Sequence, residues 1–167
     1  MIFESLLDWF SAWPPWLAVF VIAMIPILEM RASIPLGILA YDMSWWSVAL
    51  LSFLGNLVPV PFILEGLPIA ERWAHRWERT GRLLDRFFAF TRQRHSKNVE
   101  RAEEIGLALI VALPLPGAGT WSGALAAHVL GIPLRPSLLS ILAGAFIEVV
   151  LIMVAVVTGR FLWLLIV

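Results

Sequence analysis

Two carboxylates and one guanidinium interrupt otherwise apolar stretches of this 167-residue chain, and these residues offer the most chemistry. Glu29 and Arg31 break a run that extends from Trp9 to Tyr41, and Glu148 breaks the run from Pro136 to Gly159. An ionisable side chain in an apolar medium is costly, so its presence points to function by default. Glu29 can bind a proton or a cation and couple its movement to that of a second solute. Arg31 can neutralise Glu29 or bind a phosphate. Glu148, twelve residues beyond Pro136, falls near the middle of an apolar helix and can share the coupling role with Glu29. The structural alternatives are a salt bridge among these three that only neutralises charge, or a protonated Glu148 bonded to a neighbouring helix.

The residues around these charges break helices. The first break reads Pro26-Ile-Leu-Glu29-Met-Arg31-Ala-Ser33-Ile-Pro35-Leu-Gly37, and the second Pro114-Leu-Pro116-Gly117-Ala-Gly119-Thr120-Trp121-Ser-Gly123. Proline removes a backbone donor and clashes with the preceding turn, and glycine accepts conformations that other residues avoid. Backbone groups freed inside a bilayer must be buried by protein or face a polar cavity. The helix leaving the second break presents its N-terminus to that cavity, where anions are favoured. Candidate substrate contacts are therefore Arg31, Ser33, Pro35 and Gly37 in the first break. In the second they are Pro114, Pro116, Gly117, Gly119, Thr120, Trp121 and Gly123. Asn56, beside Pro59-Val-Pro61, suggests a kink and a polar contact made chiefly for packing. Gly55 and Gly144 suit close helix approach. His128 is a packing residue or a proton relay. The chain has no cysteine, and its histidines at 75, 95 and 128 lack metal-ligand spacing, so no metal or cofactor is expected. No nucleophile–base pair or phosphate loop appears, so the chain does not read as an enzyme.

The elements that hold these residues are set by composition. Sixty per cent of the chain is apolar and 14% charged, against about a quarter charged in soluble domains. This excludes a soluble enzyme, a disordered chain and a nucleic-acid binder. Ser44–Leu64 and Pro136–Thr158 are long enough to cross about 30 Å of hydrocarbon. The broken runs divide into pieces of about ten residues, roughly 15 Å of helix each. They read as re-entrant hairpins with tips at mid-membrane, the alternative being kinked helices that cross once. The expected fold class is an all-α integral membrane protein, an inverted repeat of re-entrant hairpin plus one transmembrane helix. Its parts are an interfacial helix over 1–13, repeat 1 over 14–65, a linker over 66–104, repeat 2 over 105–160 and a tail over 161–167. A shift of 88 residues places Pro26 on Pro114 and Leu50-Leu51-Ser52 on Leu138-Leu139-Ser140. Each unit crosses once, so the second is inverted, a recurring plan in secondary transporters.

Nine of the twelve Lys and Arg residues lie between Arg72 and Arg101. Arg72, Arg76, Arg79, Arg82 and Arg86 recur at helical spacing opposite Trp73, Trp77, Leu84, Phe87 and Phe88. That pattern suits a helix lying on anionic headgroups, and the positive charge places the linker in the cytoplasm. The expected location is the cell membrane, multi-pass, without a signal peptide, since Glu4 and Asp8 replace a positive leader. Expected partners are the bilayer, its anionic headgroups and a second copy of the chain, with no nucleic acid.

The strings Pro26-x-x-Glu29-x-Arg31-x-x-Ile34-Pro35-x-Gly37 and Leu113-Pro114-x-Pro116-Gly117-x-Gly119-Thr120-Trp121-x-Gly123-Ala124-Leu125 resemble the small multidrug export family over roughly Trp13–Thr158. That family in turn looks like a compact relative of the DedA superfamily. The resemblance implies transport. One reading is a proton- or ion-coupled transporter of a small or amphipathic solute, working through a midplane site between the hairpins. A second is a flippase or scramblase for an anionic lipid such as a polyprenyl phosphate or phospholipid, and a third is a non-transporting structural membrane protein. An Arg31 facing glycine amides would favour phosphate, and an Arg31 spent on Glu29 would not.

Overall fold

The computed structural model describes residues 13–74, 97–115 and 118–166. All elements among these residues are helical: α1 (Pro15–Met24), α2 (Glu29–Pro35), a π-helical stretch (Leu36–Ala40), α3 (Trp45–Leu57), α4 (Pro59–Ala74), α5 (Lys97–Ala112), α6 (Thr120–Leu130) and α7 (Leu134–Ile166). Two stretches, Trp45–Trp73 and Leu134–Gly159, are long and apolar enough to span a bilayer. The chain divides into two compact units, Met1–Asn56 with Val149–Val167, and Leu57–Glu148.

In the first unit, Pro15 opens α1, where its missing N–H costs nothing. Pro26 disfavours helix at Ile25, which is extended, so α1 stops at Met24. A short turn leads into α2, which packs back along α1. The interface is Ala18, Ile22 and Leu36, with Val21, Ile25, Leu28 and Ala32 around them. Pro35, the last residue of α2, does not stop the helical path. Helix continues as a π stretch, closed by Tyr41 N–H donating to the Leu36 carbonyl at 3.1 Å. π turns are rare and cluster at functional sites. The first break is thus confined to Ile25–Leu28, narrower than the Pro26–Gly37 string.

α3 closes the unit through small residues. A Cβ added at Gly37 would meet the Val48 side chain, and one at Gly55 would meet the Phe20 carbonyl oxygen and Ala23 Cβ.

In the second unit α6 packs against both α4 and α5. Leu107 and Val111 of α5, Ala124 and Ala127 of α6, and Ile141 and Ala145 of α7 are buried. A Cβ at Gly123 would strike Val111, and one at Gly144 would lie 2.5 Å from the Ala108 carbonyl oxygen and 2.7 Å from Val111 Cβ. The α6–α7 turn uses Gly131 in the left-handed region (φ 73°). Ser137 Oγ lies within donating distance of the Ile132 and Pro133 carbonyls, at 3.1 and 2.9 Å. One close approach recurs in the two units: the 88-residue shift carries Phe20 onto Ala108 and Ala23 onto Val111, and brings Gly55 within one residue of Gly144.

Helices outrun their sequence-read limits. The segment read as Ser44–Leu64 continues helically to Ala74, because Pro68 costs one hydrogen bond without ending the helix. α5 begins at Lys97, inside the segment read as linker, and α7 runs to Ile166, through most of the segment read as a tail. The expected interfacial helix, apart from Trp13, and most of the linker lie outside the described residues.

Candidate functional site

Glu29 opens α2 directly after the first break. It is 4% exposed, and its φ of 46° is unusual for a residue with a side chain. Ile27, two residues earlier, has φ 80°, a genuine outlier for a β-branched residue, and is 90% exposed. Strain of this kind costs on the order of 1–3 kcal/mol per residue and gathers where a chain is held for a purpose. Arg31 Nη2 donates to Glu29 Oε2 at 3.3 Å, longer than the roughly 2.7–2.9 Å of a tight charge-assisted bond. The guanidinium is therefore engaged with the carboxylate beside it, while its side chain keeps 20% exposure.

The register between α2 and α3 is fixed by two contacts. Ser33 Oγ donates to Ser52 Oγ at 2.8 Å, and Gly37 faces Val48. One turn from the serine pair, towards the break, the same faces carry Glu29 on α2 and Asn56 on α3. Glu29, Ser33, Ser52 and Asn56 are all buried. Sequence reasoning selected Glu29 and Ser33 but missed Ser52 and gave Asn56 to packing. The available signal was a polar pair at i, i+4 in an otherwise apolar helix. Pro35 and Gly37 belong elsewhere: Pro35 is the last residue of α2, and Gly37 is a packing glycine two turns, or about 12 Å, from Glu29.

The second break ends at Gly119, whose φ of 143° and ψ of −170° suit glycine alone. Thr120 starts α6 fully buried, Trp121 follows half-buried, and Ser122 Oγ donates to the Gly119 carbonyl at 3.1 Å. Trp121 thus stands in the first helical turn instead of inside the break. Pro114 is exposed, and Gly123 packs on Val111. Pro116 and Gly117 lie outside the described residues. Glu148 is 0% exposed and lies one turn beyond Gly144, whose added Cβ would meet Ala108 and Val111 of α5. Among the described residues, each unit carries one buried carboxylate, Glu29 in the first and Glu148 in the second.

His128 Nε2 lies 3.0 Å from Glu71 Oε2, tying α6 to α4. Glu71 as its partner was not foreseen. Arg72 is exposed near the end of α4, whereas Arg76, Arg79, Arg82 and Arg86 lie outside the described residues. No group of three or more His, Asp or Glu among the described residues is arranged to hold a metal.

The wholly helical architecture, the two span-length apolar stretches and the charged groups inside broken helices define a membrane protein. The chain belongs to the family described as "Putative small multi-drug export protein", whose model matches residues 29–151. That is a transporter type of family, not an enzyme family. No curated protein and no solved structure matches the chain.

Proposed function

We propose that the protein is a secondary transporter that couples proton or ion movement to export of a small or amphipathic solute. The observation that carries this reading is Glu29, a buried carboxylate on a strained break of an apolar helix pair, with the Arg31 guanidinium 3.3 Å away. A group in that position can exchange its partner when it takes up a proton or when a solute arrives. The engagement of Arg31 with Glu29 favours this reading over transfer of an anionic lipid, which asks for a guanidinium turned to phosphate.

α1 and the α2–π segment are ten and twelve residues long, about 15–18 Å each, which is half a bilayer. This supports a re-entrant hairpin. The recurring glycine contacts support two related units, and hairpin parity inverts the second. The linker is then cytoplasmic and both termini face the opposite side. The chain has no cysteine, so single ones can be introduced. Ser5→Cys and Val167→Cys should react with an impermeant maleimide in intact cells, and Ser96→Cys only after permeabilisation. Equal protection of all three positions would mean full crossings and no hairpins.

The transport reading is tested in proteoliposomes. An imposed pH gradient should drive accumulation of a fluorescent amphipathic dye, and a protonophore should abolish it. Dye flux no greater than in protein-free vesicles, over a panel of cationic, neutral and anionic dyes, would remove the reading.

A further inference from the structure

Four tryptophans gather at the end of the first unit remote from its break. Val19 of α1 and Val48 of α3 both meet the point that a Cβ at Gly37 would occupy, and farther along α3 Gly55 meets Phe20 and Ala23 of α1. α1 and α3 therefore run side by side in one direction, towards the break. Trp16 and Trp45 each stand three residues before these valines, so they share one level. Trp46 adjoins Trp45, and Trp13 precedes α1. The rings of Trp45 and Trp46 stack at 3.9 Å with an interplanar angle of 24°. All four tryptophans are between 37% and 69% exposed.

The surface of this unit changes character from that end towards the break. Exposed Asp42, Ser44 and Ser47 accompany the tryptophans. Nearer the break come Leu39, Leu50 and Leu54, exposed and apolar. An indole has an apolar body and an N–H that needs a partner. In hydrocarbon the serine hydroxyls and the Asp42 carboxylate would be stranded; in bulk water four large rings would stay wet. The zone between headgroup and acyl chain satisfies both, and tryptophan is enriched there. Apart from Arg31, residues 1–71 hold no Lys or Arg, so no basic patch draws this end to anionic lipid. The depth also fits. Three residues of α3 lead from Trp45 to Val48, and eight residues lead from Gly37 to Glu29; together they span roughly 16 Å. Half of a hydrocarbon core is about 15 Å.

We propose that Trp13, Trp16, Trp45 and Trp46 form an interfacial anchor whose partner is the glycerol and ester-carbonyl zone of one phospholipid leaflet, and that this anchor holds the Glu29 break at the bilayer midplane. The anchor works through the amphipathic indoles, so it is indifferent to lipid charge and to salt, whereas a basic surface is weakened by screening. The inference rests on the re-entrant reading of the first unit and on no part of the coupling reading.

Because the chain has no cysteine, a nitroxide label at Ser44→Cys or at Leu54→Cys reports the depth of one position. Depth is read from collisions with oxygen, which prefers hydrocarbon, against collisions with a water-soluble nickel chelate. In phosphatidylcholine bilayers the Ser44 label should sit at the ester-carbonyl level and the Leu54 label roughly 15 Å deeper. The Ser44 label should keep that level when longer acyl chains thicken the bilayer, and when anionic lipid or salt is added. Trp16→Leu/Trp45→Leu/Trp46→Leu keeps an apolar surface and loses the indoles. In that variant the Ser44 label should shift by several ångströms as the bilayer thickens. If the triple variant does not fold, the depths in the chain with its tryptophans intact still decide. A Ser44 label in hydrocarbon or in bulk water overturns the proposal, and so does a folded triple variant whose Ser44 label holds its level in every bilayer. A Ser44 label shielded from oxygen and chelate alike would mean that protein, such as a second copy, covers the ring, and overturns it too. Both labels at the interface would lay α3 on the surface and remove the hairpin reading as well. A Ser44 label at the wrong depth with Leu54 in hydrocarbon removes the anchor alone, and neither result touches the flux test of transport.

Discussion

Gly55→Val and Gly144→Val will each strongly destabilise the protein, while Gly66→Val and Gly106→Val will be tolerated. A side chain at Gly55 meets the carbonyl oxygen of Phe20, and one at Gly144 meets that of Ala108. Both obstacles are helical backbone, which cannot rotate away, so one helix must move off the other. Overpacking costs about 1–3 kcal/mol where side chains can adjust, and a rigid backbone obstacle puts these two at or above the top of that range. At Gly66 and Gly106 nothing lies within 4 Å, so an added side chain meets open space. Gly37 is intermediate, because its obstacle is the Val48 side chain, which can shift. The melting temperature of the purified variants, with the yield of monodisperse protein, reads the order directly. Equal losses at Gly55 and Gly66 would mean that helix propensity, and not the close approach, sets the cost. A loss at Gly55 without one at Gly144 would show that the two units do not share their packing.

The same glycines show how far the sequence can be read. Gly55 and Gly144 stand out as small residues in long apolar helices, and both make the close approach expected of them. The two span-length helices were legible because uncharged length is a one-dimensional property. Their ends were not: Pro68 looks like a stop, yet a helix tolerates the loss of one bond when its neighbours still pack, and α6 supports α4 across this region. The first break was read too wide for a related reason. Pro26, Pro35 and Gly37 look alike as letters, but only Pro26 falls at the turn, while Pro35 and Gly37 are absorbed by α2 and a π stretch. Partners across helices were the least legible. Ser33 with Ser52, and His128 with Glu71, depend on helix register, which apolar periodicity leaves undefined in a chain that is hydrophobic on every face.

Glu29→Gln will abolish transport driven by a pH gradient while leaving the protein folded. Glutamine has the size of glutamate and keeps an oxygen for Arg31, so packing at the break is preserved. It cannot take up or release a proton, so a cycle that depends on protonation at residue 29 stops. Arg31→Gln is the harsher change for stability, because it removes the cationic contact at 3.3 Å from a carboxylate at 4% exposure. Breaking a buried pair costs about 3–5 kcal/mol, and the 20% exposure of the arginine side chain lowers the expected loss to about 1–3 kcal/mol. The double variant Glu29→Gln/Arg31→Gln should regain much of that stability, since the buried carboxylate charge is then removed together with its cation, and should still fail to transport. Melting temperature and gradient-driven dye flux, measured on one preparation of each variant, separate the two effects. If Arg31→Gln loses activity only in step with stability, arginine serves to hold the carboxylate. If Glu29→Gln transports with the pH dependence of the wild type, Glu29 is a structural charge and coupling must be sought at Glu148, the buried carboxylate of the second unit.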